Sequence, residues 1–293
     1  MNNVRKLLAL LVIIVFLASA CTPSATTTSN PPTSIPPTSN LPTSIPPTSI
    51  PVTSKLDAIM QAGKMTCGTS ADFAPMDFVN EDGTFSGFDI DFIHEIAKRM
   101  GVDVEIWDMP FDSLVEALST GKVDCVIAGM APSAERDKKV DFSIGYKLRT
   151  YVFLANTNKR VEITKFEDVG KYRLGTLSGG VQVQIFQDKL ITPGYMPAAN
   201  LVLYDRTDSG ILDLAAGRLD LWMTQDIVAS TWSKQANVYT AYVIPQDILG
   251  GDTVISLPEG DVAMKAKFDE IITQMIDDGF RDKLLDTWGI PRQ

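Results

Sequence analysis

The chain has 293 residues, 45% of them hydrophobic, and carries a formal net charge of −10. That acidity argues against nucleic acid or anionic lipid as the main partner. With one histidine, three cysteines and no Cys-x-x-Cys spacing, neither a zinc site nor a disulfide scaffold describes it.

Arg5 and Lys6 open the chain and precede an apolar run from Leu7 to Leu17, followed by Ala18-Ser19-Ala20 and Cys21. A basic start, a short apolar stretch and a small-residue cleavage site predict an export signal over residues 1–20. The apolar run falls short of the about 20 residues that a membrane span needs. Residues 21–54 are mostly Pro, Thr and Ser, with Pro-Pro-Thr-Ser-Ile and its variants recurring from Pro31 to Ser54. Such a segment has too little apolar surface to offset chain entropy and is assigned no fold. At about 3.1 Å per residue in extended polyproline geometry, it reaches roughly 100 Å. A spacer and an unselected low-complexity tail explain this composition equally well.

From residue 55 to 293, short β-like runs alternate with helical patterns. Lys64–Thr69 reads as a strand, and Gly87–Gly101 as a helix with Ile90, Ile93, Ala97 and Met100 on one face and Gly101 ending it. Val102–Trp107 is the next strand. Ser113 and Glu116 stand at capping-box spacing and open a helix ending at Gly121. Val123–Gly129 is an apolar run typical of a buried parallel strand. The second block predicts strands at Tyr172–Thr176, Leu201–Tyr204 and Leu219–Thr224, with helices at Gly180–Leu190, Asp208–Gly217 and Asp226–Gln235. The tail, from Phe268 to Trp288, has the spacing of two amphipathic helices.

This alternation predicts an α/β fold of two lobes, each a mostly parallel sheet flanked by helices. The two blocks run over 55–150 and 151–249, followed by the helical tail. Open parallel sheets bind ligands beyond the carboxyl ends of their strands, so two facing lobes make a cleft. Cys67 and Cys125 lie in apolar strand-like runs and read as buried free thiols, although an oxidising compartment would permit a disulfide.

Two resemblances sharpen this reading. Leu17-Ala18-Ser19-Ala20-Cys21 resembles the lipobox of bacterial lipoproteins, which implies a lipid on Cys21 and an extracytoplasmic, membrane-anchored protein at the periplasm or cell surface. Gly68-Thr69 through Pro75-Met76-Asp77-Phe78, then Gly87-Phe88-Asp89-Ile90-Asp91, look like motifs of the bacterial extracellular solute-binding proteins of family 3. So do Gly121-Lys122-Val123-Asp124, Ser133-Ala134-Glu135-Arg136 with Val140-Asp141-Phe142-Ser143, and Asp278-Gly279 with Trp288-Gly289. The likeness implies the two-lobed periplasmic-binding-protein fold of type II, with lobe 1 over 55–150 and 250–293, lobe 2 over 151–249, and two hinge crossings near 148–152 and 246–252. It also implies a monomer that captures a small carboxylate-bearing solute, a polar amino acid first, by hinge closure and passes it to an ABC permease. It implies no cofactor and no catalysis. The alternatives are a dehydratase-like enzyme on the same fold and a sensory lipoprotein.

The same likeness suggests the site. Arg136 would hold the ligand carboxylate, because a guanidinium offers planar bidentate donors, with backbone groups of Gly129, Met130 and Ala131 beside it. Phe73 and Phe111 match aromatic walls, Phe111 having ordinary core packing as its rival role. Ser70 stands where the family faces the ligand side chain, and serine there gives a cationic ligand no charge partner. Gly180 and Val181 at a strand-to-helix turn would offer backbone N–H groups to an anion. For the ligand amine the candidates are Asp226 and its rival Gln225. Ser133 is expected to cap the segment carrying Arg136, and Asp89 and Asp91 to serve the start of their helix.

Overall fold

A computed structural model describes residues 54–292; the expected export signal, Cys21 and the linker up to residue 53 lie outside the described residues. Ser54 caps the first helix, α1 (Lys55–Ala62), by accepting the N–H of Asp57. Strand β1 (Lys64–Thr69) follows. Three short strands, β2 (Asp72–Phe73), β3 (Asp77–Val79) and β4 (Phe85–Ser86), form a small antiparallel sheet beside it. Helix α2 (Phe88–Met100) buries Phe92, Ile93, Ile96 and Met100 on one face and ends at Gly101 in the left-handed region. Its approach depends on Gly87: at φ 132° a Cβ would stand 2.1 Å from the Met76 carbonyl oxygen.

Strand β5 (Asp103–Asp108), helix α3 (Leu114–Ser119), strand β6 (Cys125–Val126) and strand β7 (Val140–Phe142) complete the first pass through lobe 1. The expected capping box is not formed. Phe111–Ser113 makes a 3-10 turn into α3, and the Ser113 hydroxyl donates to the Pro110 carbonyl and accepts no N–H of α3. The expected strand at 123–129 shortens to β6 because the chain turns away at Gly129, whose φ is +56°.

Lobe 2 contains β9 (Tyr151–Asn156), β10 (Leu174–Leu177), α4 (Val181–Phe186), β11 (Leu201–Tyr204), α5 (Thr207–Ala215), β12 (Leu221–Gln225), α6 (Asp226–Gln235) and β13 (Val238–Val243). Beyond Phe186 the expected long helix widens into a looser turn through Ile191. Strand β8 (Lys147–Leu148) leads out of lobe 1, and β14 (Asp252–Thr253) leads back. The two pair antiparallel as a narrow ribbon between the lobes. Then come β15 (Ser256–Pro258), α7 (Val262–Asp277) and α8 (Phe280–Thr287), the expected helical tail.

Each lobe has a five-stranded mixed sheet. Lobe 1 has the order β5-β1-β6-β15-β7, in which β5, β1 and β6 run parallel and β15 opposes its neighbours. Lobe 2 has the order β11-β10-β12-β9-β13, parallel as far as β12 and antiparallel beyond. In both lobes the parallel strands end towards one cleft, where ligands bind in such sheets. Cys67 and Cys125 are register partners on β1 and β6 and are buried free thiols with sulfurs 2.9 Å apart. No helix among the described residues is long and apolar enough to cross a membrane.

Candidate ligand-binding site

A cavity lies where the two lobes meet. Lobe 1 supplies Ser70 from the loop after β1, Phe73 from β2, Phe111 from the turn before α3, and Gly129, Ala131 and Arg136 from the chain beyond β6. Lobe 2 supplies Gly180 and Val181 at the start of α4, Thr207 at the start of α5, and Trp222, Thr224 and Gln225 along β12.

Arg136 begins a short 3-10 turn, and its N–H is accepted by the Ser133 hydroxyl at 3.3 Å. The guanidinium lies over the Phe111 ring, 5.3 Å from its centroid, so this phenylalanine serves both packing and charge. One Nη donates to the Ala131 carbonyl; the other reaches across to the Gly179 carbonyl of lobe 2 at 2.8 Å. Burial lowers the pKa to about 10; Tyr151 opposes the shift and the nearby Arg149 charge adds to it. The group therefore stays charged at neutral pH. Among the described residues no Asp or Glu lies within ion-pair distance of it. A buried guanidinium whose protein partners are only carbonyls lacks an anion.

The loop bearing Gly129 is held from behind. Asp89, on the first turn of α2, accepts the Gly129 N–H at 2.6 Å and the Tyr146 hydroxyl at 2.9 Å. Its helix-start position hid this role in the sequence. Burial pushes its carboxyl up. A Cβ on Gly129 would stand 3.0 Å from Phe73, so the glycine lets that aromatic wall sit against the loop. The Gly129 carbonyl in turn accepts from Gln225 Nε2 of lobe 2 at 3.0 Å.

The two candidates for the amine partner separate. Gln225 is 2% exposed and lines the cavity, whereas Asp226 does not. Asp226 begins α6 and accepts the N–H of Ile227 at 2.8 Å. Met130 is also outside the lining: its backbone joins Val254, and its sulfur accepts from the Ser256 hydroxyl. Several lining residues were not singled out from sequence, among them Thr207, Gln182, Trp222 and Thr224. Thr224 ends the strand expected at 219–224, so the rule that ligands sit beyond strand carboxyl ends could have found it. Gln182 needed the structure, because its amide is placed by Thr176 at 2.9 Å.

A second set of contacts joins the lobes at one edge of the cavity. Asp72 accepts the Thr207 N–H at 2.7 Å, and Arg206 lies 3.5 Å from Asp72 and 3.6 Å from Asp108. Burial raises Asp72 to about 6, against the opposing effects of Arg206 and the Thr207 N–H. These bonds, together with Arg136 to Gly179 and Gln225 to Gly129, describe closed lobes.

The sequence pattern of the bacterial extracellular solute-binding proteins, family 3, matches residues 65–291. The chain belongs to that family. Among family relatives, the arginine-binding extracellular protein ArtP of Bacillus subtilis is 29% identical over 226 residues, covering 77% of this chain and 86% of its own. The ancestral amino-acid-binding protein AncCDT-1, a precursor of cyclohexadienyl dehydratase, superposes with a TM-score of 0.70 at 30% identity, covering 80% of this chain and 99% of its own. An ancestral arginine-binding protein bound to glutamine gives a TM-score of 0.68 at 31% identity, covering 77% and 97%. This family 3 protein thus has the two-lobed fold of amino-acid-binding proteins, and its relatives are solute-binding components of ABC transporters.

Proposed function

We infer that this protein captures a small carboxylate-bearing solute, an amino acid or a related carboxylate, by closure of its two lobes. The monomer then delivers it to an ABC permease. A lipid on Cys21 would hold it at the outer face of the membrane, a reading supported by the sequence pattern at 17–21. The observation that carries the inference is Arg136: a buried, charged guanidinium in an inter-lobe cavity, with carbonyls but no carboxylate around it. Relatives named for arginine, cystine and histidine support the solute class. No Asp, Glu or His lines the cavity among the described residues, which favours binding over proton transfer.

The test is a thermal-shift screen over amino acids and related carboxylates, because a ligand bound by the folded state raises its melting temperature. At least one compound is expected to shift wild type and to leave Arg136→Ala unmoved. A ligand that shifts both proteins equally would refute the site.

A further inference from the structure

The cavity has an uneven charge inventory. Arg136 is the single lining side chain with a formal charge. Nearby carboxylates are committed elsewhere and do not line it. Asp72 faces Thr207 and Arg206, Asp89 holds Gly129 and Tyr146, Asp112 accepts from Ser178, and Asp226 accepts from its own helix start. Asp72 keeps one oxygen without a partner, but Arg206 already sits against that group. A positively charged ligand group would enter beside Arg136 with no counter-charge to meet it.

What the cavity offers instead is neutral. Trp222 Nε1, Thr224 Oγ1 and Gln225 Oε1 are buried and have no partner, and all three residues line the cavity. The Gln225 amide cannot be turned over: its Nε2 donates to the Gly129 carbonyl, and reversal would set two oxygens against each other. Its Oε1 is therefore a fixed acceptor that carries no formal charge. Thr224 can donate or accept, and the indole donates only.

We propose that the solute is a carboxylate without a cationic group, an amino acid whose amine is acylated or replaced by a hydroxyl. Its carboxylate meets Arg136, and its neutral hydrogen-bonding group meets Gln225 and Thr224. An ammonium in that place would lose its hydration for neutral acceptors alone, close to a like charge. This proposal rests on the reading of the cavity as the solute site.

The test is calorimetric titration of the full chain with leucine, phenylalanine, glutamine and arginine, each as the free amino acid, its N-acetyl derivative and its 2-hydroxy analogue. In at least one series an amine-free member is expected to bind about tenfold or more tightly than the free amino acid. The N-acetyl and hydroxy arms show which neutral group is read. Gln225→Glu, which supplies a carboxylate, is expected to move the preference about tenfold towards the free amino acid. A wild type that binds a free amino acid best, with binding lost in Arg136→Ala, overturns this proposal and leaves the solute-binding reading standing. An unchanged preference in Gln225→Glu overturns it as well. Binding of no member of any series overturns both.

Discussion

Gly210 sets two physical arguments against each other, and the structure decides between them. It lies inside α5, where glycine is about 1 kcal/mol worse than alanine, so propensity alone predicts that Gly210→Ala stabilises the protein. Yet an added Cβ would stand 2.0 Å from Trp222 Cζ3 and 2.3 Å from Cη2. Ordinary carbon contacts lie near 3.5–4.0 Å, so a gap of about 1.5 Å would have to open. The indole is closely packed: it is 1% exposed, Tyr204 meets it edge-on at 5.4 Å, and Gly175 lies against the same Cε3–Cζ3 edge, where even a Cβ would come within 2.8 Å of the ring. Overpacking of this kind costs about 1–3 kcal/mol, which outweighs the propensity gain. The expected net loss, up to about 2 kcal/mol, lowers the melting temperature by as much as roughly 8 °C at this domain size. Thermal denaturation followed by circular dichroism measures it, and because Trp222 lines the cavity, ligand affinity should fall too. A melting temperature that rises, with affinity intact, would refute the packing argument.

The carboxyl of Asp72 gives a pH signature. It is raised to about 6, whereas an unfolded aspartate titrates near 3.9. Between those values the folded protein holds a proton that the unfolded chain has released. The contribution of Asp72 to stability therefore falls as pH rises from about 4 to about 6, by at most about 3 kcal/mol. Asp72→Asn, which keeps an oxygen for the Thr207 N–H, is expected to gain on wild type across that window in paired melts; a difference that stays constant from pH 4 to 8 would count against it. Burial also pushes the Cys125 thiol up, beside an equally buried Cys67. Iodoacetamide is expected to leave both untouched in the native protein and to modify both after unfolding in guanidinium. Mass spectrometry of tryptic peptides reads this, and rapid native alkylation at either residue would show the pair to be accessible.

The sequence made the lobes legible wherever a single segment carried its own pattern. Lys64–Thr69, Leu201–Tyr204 and Asp226–Gln235 have the expected bounds because periodicity and end signals agree locally. What it hid depends on distant partners. Strand β9 runs against the direction of β10 to β12 and β13 reverses again beside it, and no local pattern in Tyr151–Asn156, buried throughout, tells direction. The site divides in the same way. Arg136 is visible through its neighbours in sequence, whereas Gln225 and Asp226 are adjacent and only the exit of β12 into α6 decides which faces the cavity. Asp89 reads as a helix-start acid, yet its oxygens bind a glycine and a tyrosine 40 and 57 residues away.

The ribbon of β8 and β14 has a mechanical consequence. The chain enters lobe 2 once and leaves once, so lobe 2 is an insertion, and both described ends belong to lobe 1. Lys55 is fastened there through its N–H to Asp261 and its ammonium to Asp124, and Trp288 through its indole to Asp91. A pull on whatever precedes residue 54 is borne by lobe 1 alone. If the proposed lipid on Cys21 holds the chain from that end, lobe 2 bears no load, and the length or tension of the leash would leave its contacts with lobe 1 unchanged.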